Sequence, residues 1–216
     1  MEQFIPQIKI CGLVSTKDAI YLNRYGVDYA GMVLYFPKSK RCITIDKAKE
    51  IMDALQPSIK KVAVTVSPTL EQVQEIEAAG FDILQVHGKL QQDVLNKTKL
   101  PIFRAFNIKD TSVVGLYNIY PQITGYVFDG EIPGGGKTFD WSLLDTLRDP
   151  KSRPKKLILA GGLHADNVLD GIHCLNPDIV DVSSGVEIQN GIGKDEEKIK
   201  AFVHAVRCGK IRETAG

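Results

Sequence analysis

The chain has 216 residues, with 27 basic and 26 acidic side chains, a formal charge of +1 and a hydrophobic fraction of 44%. That balance leaves no electrostatic footprint for nucleic acid or an anionic membrane, so any anionic ligand must be held by a local site. There is no run of about 18 apolar residues, and the opening MEQFIPQIKICG lacks a basic segment followed by a long apolar stretch, which together predict a cytoplasmic protein with no membrane span.

Short apolar runs alternate with longer stretches of helical period. The runs are IKIC (8–11), YAGMV (29–33), KVAVTV (61–66), DILQVH (82–87), PIFRAF (101–106), GYVFD (125–129), KLILAG (156–161) and DIVDVSSG (178–185). Most are continuously hydrophobic, as strands are when a parallel sheet is covered on both faces. Helical period marks 16–25, with Ala19, Ile20 and Leu22 expected to face the sheet, and then 45–55, 70–79, 165–175 and 196–207. Ser15 or Thr16, and the Pro68-Thr69 pair, supply helix start signals. Gly26 and Gly80 each close a helix just ahead of the next strand, and Asn176 stands in a looser third copy of that junction. Eight strand–helix units in this length predict the α/β class and a single (β/α)8 TIM barrel over 1–216. A doubly wound open sheet is the competing architecture, and the absence of GxGxxG after the first strand weighs against it.

In such a barrel the active site lies at the C-terminal ends of the strands. The polar residues there are Cys11, the Lys38 to Arg41 stretch, His87, Asp129, the Gly161-Gly162 pair, and Ser183-Ser184-Gly185. Phosphate is commonly held by the loops after the seventh and eighth strands, where bare backbone N–H groups and a helix N-terminus favour an anion. Gly161, Gly162, Ser183, Ser184 and Gly185 fit that cradle. Cys11 and Asp129 form a candidate base and acid, with Lys9 and Arg41 as candidate cationic neighbours of the thiol. The plainer alternatives are a small buried residue for Cys11 and a turn cap for Asp129. Arg41 could take a carboxylate in bidentate fashion, or belong to a solvated basic loop. His87 suits either a ligand contact or a supporting position. His164, His173 and His204 read as surface positions. The four cysteines, Cys11, Cys42, Cys174 and Cys208, have no metal spacing, and no metal or cofactor is expected.

The Gly134-Gly135-Gly136-Lys137-Thr138 stretch looks like a nucleotide P-loop but fails its spacing. Glu131 occupies the position of the first glycine.

Six segments in order resemble one family. Lys9-Ile10-Cys11-Gly12 is similar to the KICG opening of phosphoribosylanthranilate isomerases, and Phe36-Pro37-Lys38-Ser39-Lys40-Arg41 to their FxPxSxR loop. Leu84-Gln85-Val86-His87-Gly88, Phe139-Asp140-Trp141, Leu159-Ala160-Gly161-Gly162-Leu163 and Asp181-Val182-Ser183-Ser184-Gly185-Val186-Glu187 complete the set. The Gly-rich loop ahead of Trp141 is one residue shorter than the family's usual GGTGKTFDW, and 188–194 is slightly longer than usual.

The resemblance implies a TIM barrel of the ribulose-phosphate-binding type and a cofactor-free Amadori rearrangement, an aldose–ketose isomerisation in tryptophan biosynthesis. It implies Asp129 as the general acid that opens the furanose ring and Cys11 as the base that removes the C2′ proton. Arg41 would hold the anthranilate carboxylate, Asp181 a ribose hydroxyl, and Gly161, Gly162, Ser184 and Gly185 the phosphate. The partner is then a small phosphorylated substrate, and the assembly a monomer or homodimer. A histidine-pathway isomerase would favour a second aspartate in place of Cys11. Indole-glycerol-phosphate synthase would need a lysine-and-glutamate set not found on these strand ends. A non-catalytic phosphate-binding barrel is the alternative from a different class.

Overall fold

The computed structural model describes residues 5–107, 118–130, 138, 140–147, 149, 151, 153 and 155–209. Among these residues nine strands are formed: β1 (Gln7–Cys11), β2 (Tyr29–Leu34), β3 (Cys42–Ile43), β4 (Lys60–Val66), β5 (Ile83–His87), β6 (Ile102–Asn107), β7 (Ile123–Asp129), β8 (Lys156–Leu159) and β9 (Ile179–Val182). All pairings between them are parallel. The order runs β1-β9-β8-β7-β6-β5-β4-β2, and β1 pairs with β2, so the eight longer strands close on themselves. Closure removes both sheet edges. The two-residue β3 pairs with β2 alone and lies outside the ring. It is too short to leave a hydrophobic run in the sequence.

Among the described residues six α-helices accompany the strands: α1 (Thr16–Tyr25), α2 (Ile45–Asp53), α3 (Leu70–Ala79), α4 (Gln92–Lys97), α5 (Val168–Leu175) and α6 (Glu196–Cys208). Their ends follow local chemistry. Ser15 and Thr69 cap α1 and α3 in capping boxes with Asp18 and Gln72. Gly26, Gly80 and Asn176 all take the left-handed conformation at helix ends, so the looser third junction is real.

One expected packing contact is overturned. Ala19 and Leu22 are fully buried, but Ile20 is 50% exposed. The inward position beside Ala19 belongs to Asp18, whose carboxylate accepts from the N–H groups of Val14, Ser15 and Lys194. A buried carboxylate satisfied by three backbone donors sets the rotation of the helix, and Ile20 is carried outward.

Alternation along each strand divides the core in two. Ile8, Ile10, Leu84, Val86, Phe128 and Leu159 face outward into the layer under the helices. Tyr29, Val62, Val64, Phe103, Val127, Ile158 and Ile179 fill the barrel itself, with Cys11 packed against them. The inner face therefore changes from apolar at the strand starts to polar at the strand ends, where the cavity opens.

Candidate active site

A cavity of about 820 Å³ opens at the C-terminal ends of the strands. Cys11, Arg41, His87, Asp129, Gly161, Gly162, Asp181, Ser183 and Ser184 all line it. These residues are spread over most of the chain, and only barrel closure brings them to one mouth. Gly185 is the exception. It stands behind the wall, where an added Cβ would lie 2.0 Å from the Leu163 carbonyl oxygen. Its smallness allows the turn after β9 to rest on the loop after β8.

Register explains the floor of the cavity. Lys9 of β1 lies beside Asp181 of β9, and Cys11 beside Gly31 of β2. Lys9 is fully buried, and its Nζ donates to Asp181 Oδ2 at 2.8 Å. A Cβ on Gly31 would sit 3.0 Å from Cys11 Sγ and 3.1 Å from Lys9 Nζ, so thiol and ammonium share one bare notch of backbone. Burial, with the Asp181 carboxylate, holds the Cys11 thiol above its ordinary range, and the Lys9 and Lys194 cations offset only part of that rise. Burial likewise raises the Asp181 carboxyl against the pull of Lys9. Its second oxygen, Oδ1, is buried with no hydrogen-bond partner, an acceptor left for a ligand donor.

Across the mouth, Asp129 ends β7 and is 9% exposed, with Oδ1 accepting from the Gly130 N–H at 2.9 Å. Next to it the backbone turns through Gly161 and Gly162, both at positive φ (81° and 65°). These glycines bring unobstructed main chain against the acid. A Cβ on Gly161 would fall 2.5 Å from the Gly130 nitrogen and 3.0 Å from Asp129 Oδ1. Ser184–Val186 forms a single 3-10 turn. The Ser183 hydroxyl donates to the Cys11 carbonyl at 2.9 Å, tying β9 to β1 at the catalytic end.

His87 is half-buried. Burial, with the cations of Lys9 and Arg104, lowers its pKa to about 4, so the ring is neutral at pH 7. Gln85, one inward position below, lies 2.9 Å from His87 Nε2 through its amide nitrogen. Its Oε1 is buried without a partner. Arg104 is held by the carbonyls of Val86, Ala105 and Gly88.

Arg41 is positioned from two sides. Its side chain passes over Gly12, where a Cβ would be 2.5 Å from Arg41 Cδ. Its Nε donates to Glu187 Oε1, and Lys40 and Lys194 also pair with Glu187, at 2.8 and 3.5 Å. Sequence reading had no signal for Lys194 or for Glu187 as an anchor, nor for Gln85 as a lining residue. Lys194 and Glu187 owe their places to partners distant in the chain, Asp18 and Arg41, and Gln85 owes its place to the inward alternation of its strand. The glycine stretch 134–138 lies outside the described residues except for residue 138. His164, His173 and His204 are exposed, and among the described residues no cluster of His, Cys, Asp and Glu could hold a metal.

A family model described as N-(5′-phosphoribosyl)anthranilate isomerase matches residues 8–205. The chain belongs to the phosphoribosylanthranilate isomerase family. Curated relatives of that name from Streptococcus mutans and Clostridium acetobutylicum are 40% and 41% identical, over 93% of this chain and 98% of theirs. The crystal structure of the Thermotoga maritima phosphoribosyl anthranilate isomerase superposes with a TM-score of 0.82 at 30% identity, covering 94% of this chain and all of that one. A family structure in complex with reduced 1-(o-carboxyphenylamino)-1-deoxyribulose 5-phosphate has a TM-score of 0.79 at 29% identity, with the same coverage. These neighbours share the closed eight-stranded parallel barrel of the present chain.

Proposed function

We propose that Cys11 is the general base and Asp129 the general acid of this chain's isomerisation of N-(5′-phosphoribosyl)anthranilate to 1-(2-carboxyphenylamino)-1-deoxyribulose 5-phosphate. The activity is that of its family, an aldose–ketose isomerisation in tryptophan biosynthesis. The observation that carries the residue assignment is the placement of a thiol and a carboxyl at the mouth of one cavity, with a glycine-lined loop between them and the 3-10 turn.

Protonated Asp129 delivers its proton to the furanose ring oxygen, the C1′–O bond breaks, and the anilino nitrogen takes up the positive charge as an iminium. That cation is the electron sink. It acidifies the C2′ proton within the substrate, and the chemistry requires no added Lewis acid. Cys11 thiolate removes the proton to give an enolamine, which tautomerises to the ketone. General acid and base each contribute about 10²- to 10⁴-fold. The remainder comes from fixing the reacting carbon between two anchors. One is the phosphate, on the backbone donors of Gly161 and Gly162 with Ser183 and Ser184, while Gly185 lets the turn after β9 close against the loop after β8. The other is the anthranilate carboxylate on Arg41. Asp181 Oδ1 accepts a ribose hydroxyl, and His87 contacts the substrate as a neutral ring. One barrel domain over 1–216 carries this activity in the cytoplasm, as a monomer or homodimer.

The test is the decay of substrate fluorescence with wild-type, Cys11→Ser and Asp129→Asn proteins, the substrate being generated in situ and corrected for spontaneous hydrolysis. A loss of at least about 10²-fold in kcat for each variant is expected. Turnover that survives both substitutions sinks the acid–base assignment.

A further inference from the structure

We propose that Lys9 is a positioning residue for the base: its buried ammonium, aligned by Asp181, is the fixed positive charge that favours the thiolate form of Cys11 against the cost of burial. The proposal rests on the reading of Cys11 as the base, and takes it further by naming the charge that favours ionisation of a buried thiol.

The first ground is placement. An ammonium with no exposure loses its hydration, a cost that an apolar residue on the same strand would avoid. Neighbouring inward positions do hold apolar or small residues, Tyr29 and Gly31 on β2 and Ile179 on β9. A lysine kept here against that cost has one carboxylate to compensate it, Asp181 at 2.8 Å. One of its three N–H donors is thereby used. The Cys11 sulfur shares the Gly31 notch with the same ammonium.

The second ground is direction. Asp181 faces Lys9 along the β1–β9 ladder, so the pair forms a dipole whose positive end meets the sulfur. The other charges around Cys11 can be placed element by element. From β9 comes Asp181, opposing the thiolate. From the segment ahead of α6 comes Lys194, favouring it but engaged by Glu187 and the Ser183 carbonyl. The β2 face presents Gly31 and Val33, neither of which titrates. Across the mouth stand Asp129, neutral His87, and Arg41 in its bond to Glu187. Of the cations, Lys9 acts most strongly on the thiol. The same ammonium disfavours a proton on His87. One charge at the floor thus bears on two protonation states: it favours the anionic form of the base and, together with burial, the neutral form of the imidazole.

The test needs no substrate. Thiolate absorbance near 240 nm and the rate of iodoacetamide alkylation are followed against pH in the full chain. The difference from Cys11→Ser isolates Cys11 from Cys42, Cys174 and Cys208. In Lys9→Met the thiolate fraction of Cys11 at a given pH below its midpoint should fall at least about tenfold, a rise of one pKa unit or more. The His87 ring should titrate above its wild-type value of about 4. Lys9→Met with Asp181→Asn leaves no unpaired buried carboxylate and serves where the single variant fails to fold. It should also raise the thiol, by less. A folded variant whose Cys11 and His87 titrate as in wild type overturns the proposal. Because these readouts are independent of turnover, they separate failure of this inference from failure of the isomerase mechanism. If Cys11 is not the base, the thiol still shifts, but the pH profile of kcat/KM does not follow it.

Discussion

Arg41 and Glu187, 146 residues apart in the chain, meet at the edge of the cavity, where the guanidinium Nε donates to Oε1 of the carboxylate. Glu187 is 8% exposed. Burial alone would raise its carboxyl, but hydrogen bonds from Arg41 and Lys40, with the Lys194 charge, outweigh this and hold it at about 2. The bond uses Nε, which leaves the two Nη groups for the anthranilate carboxylate that the proposed function assigns to Arg41.

Glu187→Gln should therefore act on binding more than on chemistry. We expect KM for phosphoribosylanthranilate to rise about tenfold with kcat within about threefold, because one charge-assisted hydrogen bond of roughly 1.5–3 kcal/mol is weakened in both ground and transition states. Steady-state kinetics on the fluorescent substrate check this. An unchanged KM would mean that Arg41 keeps its pose without the carboxylate.

The same bond has a pH signature in stability. The folded Glu187 carboxyl, at about 2, lies below its ordinary value near 4.5. Its contribution is thus complete above about pH 4.5 and is lost as pH falls toward 2. Urea unfolding of wild type and Glu187→Gln should differ by at most roughly 3 kcal/mol at pH 7, and the two should converge on acidification. A gap that stays constant from pH 7 to pH 3 would contradict the ion-pair assignment.

Gly12 gives an independent handle on Arg41. Its φ of +80° already disfavours any side chain, and an added methyl would meet Arg41 Cδ at 2.5 Å. Gly12→Ala should cost about 1–3 kcal/mol of stability through the backbone. It should also raise KM in the manner of Glu187→Gln, because the guanidinium is displaced. If stability falls while KM is unchanged, the glycine serves the turn alone.

The eight barrel strands could be read from the sequence because burial on both faces makes each a plain hydrophobic run, and strand ends then indicate where polar residues matter. Cys11, Asp129 and His87 follow directly from that rule. What the sequence concealed depends on pairings between distant residues. Lys9 gains its meaning from Asp181, 172 positions away, and Arg41 from Glu187. Gln85 hides within a strand read as apolar, and its inward direction emerges only from the alternation with Ile83 and His87. Ile20 was misplaced because periodicity ranks side chains by hydrophobicity, while the rotation of α1 is set by the buried carboxylate of Asp18. The six-residue α4 has too few turns for a periodic signal.

His87 should behave as a neutral ligand contact. Gln85 donates to Nε2, which must then accept, so the ring proton sits on Nδ1. With a folded value of about 4 against about 6.5 when unfolded, His87 supports the fold above pH 6.5 and this support is lost as pH falls through 4. NMR of ring nitrogens at pH 7 should show the Nδ1–H tautomer. A ring that titrates near 6.5 would remove the electrostatic effect assigned to Lys9 and Arg104.

The two glycine positions around the phosphate loops should separate binding from catalysis. A methyl on Gly185 would enter the Leu163 carbonyl at 2.0 Å and force the turn after β9 away from the loop after β8. The backbone donors of the two segments would then no longer converge on one anion. Gly185→Ala should raise KM and weaken competition by inorganic phosphate, each by at least about tenfold, the loss of roughly one good hydrogen bond to a charged group. A methyl on Gly161 instead presses on the Gly130 nitrogen and on Asp129 Oδ1, so its main effect should be on kcat through displacement of the acid. Kinetics and phosphate inhibition measured on both variants decide the matter. A Gly161→Ala enzyme that loses only phosphate affinity, with kcat intact, would show that Asp129 tolerates the shift and is not held in place by this backbone contact.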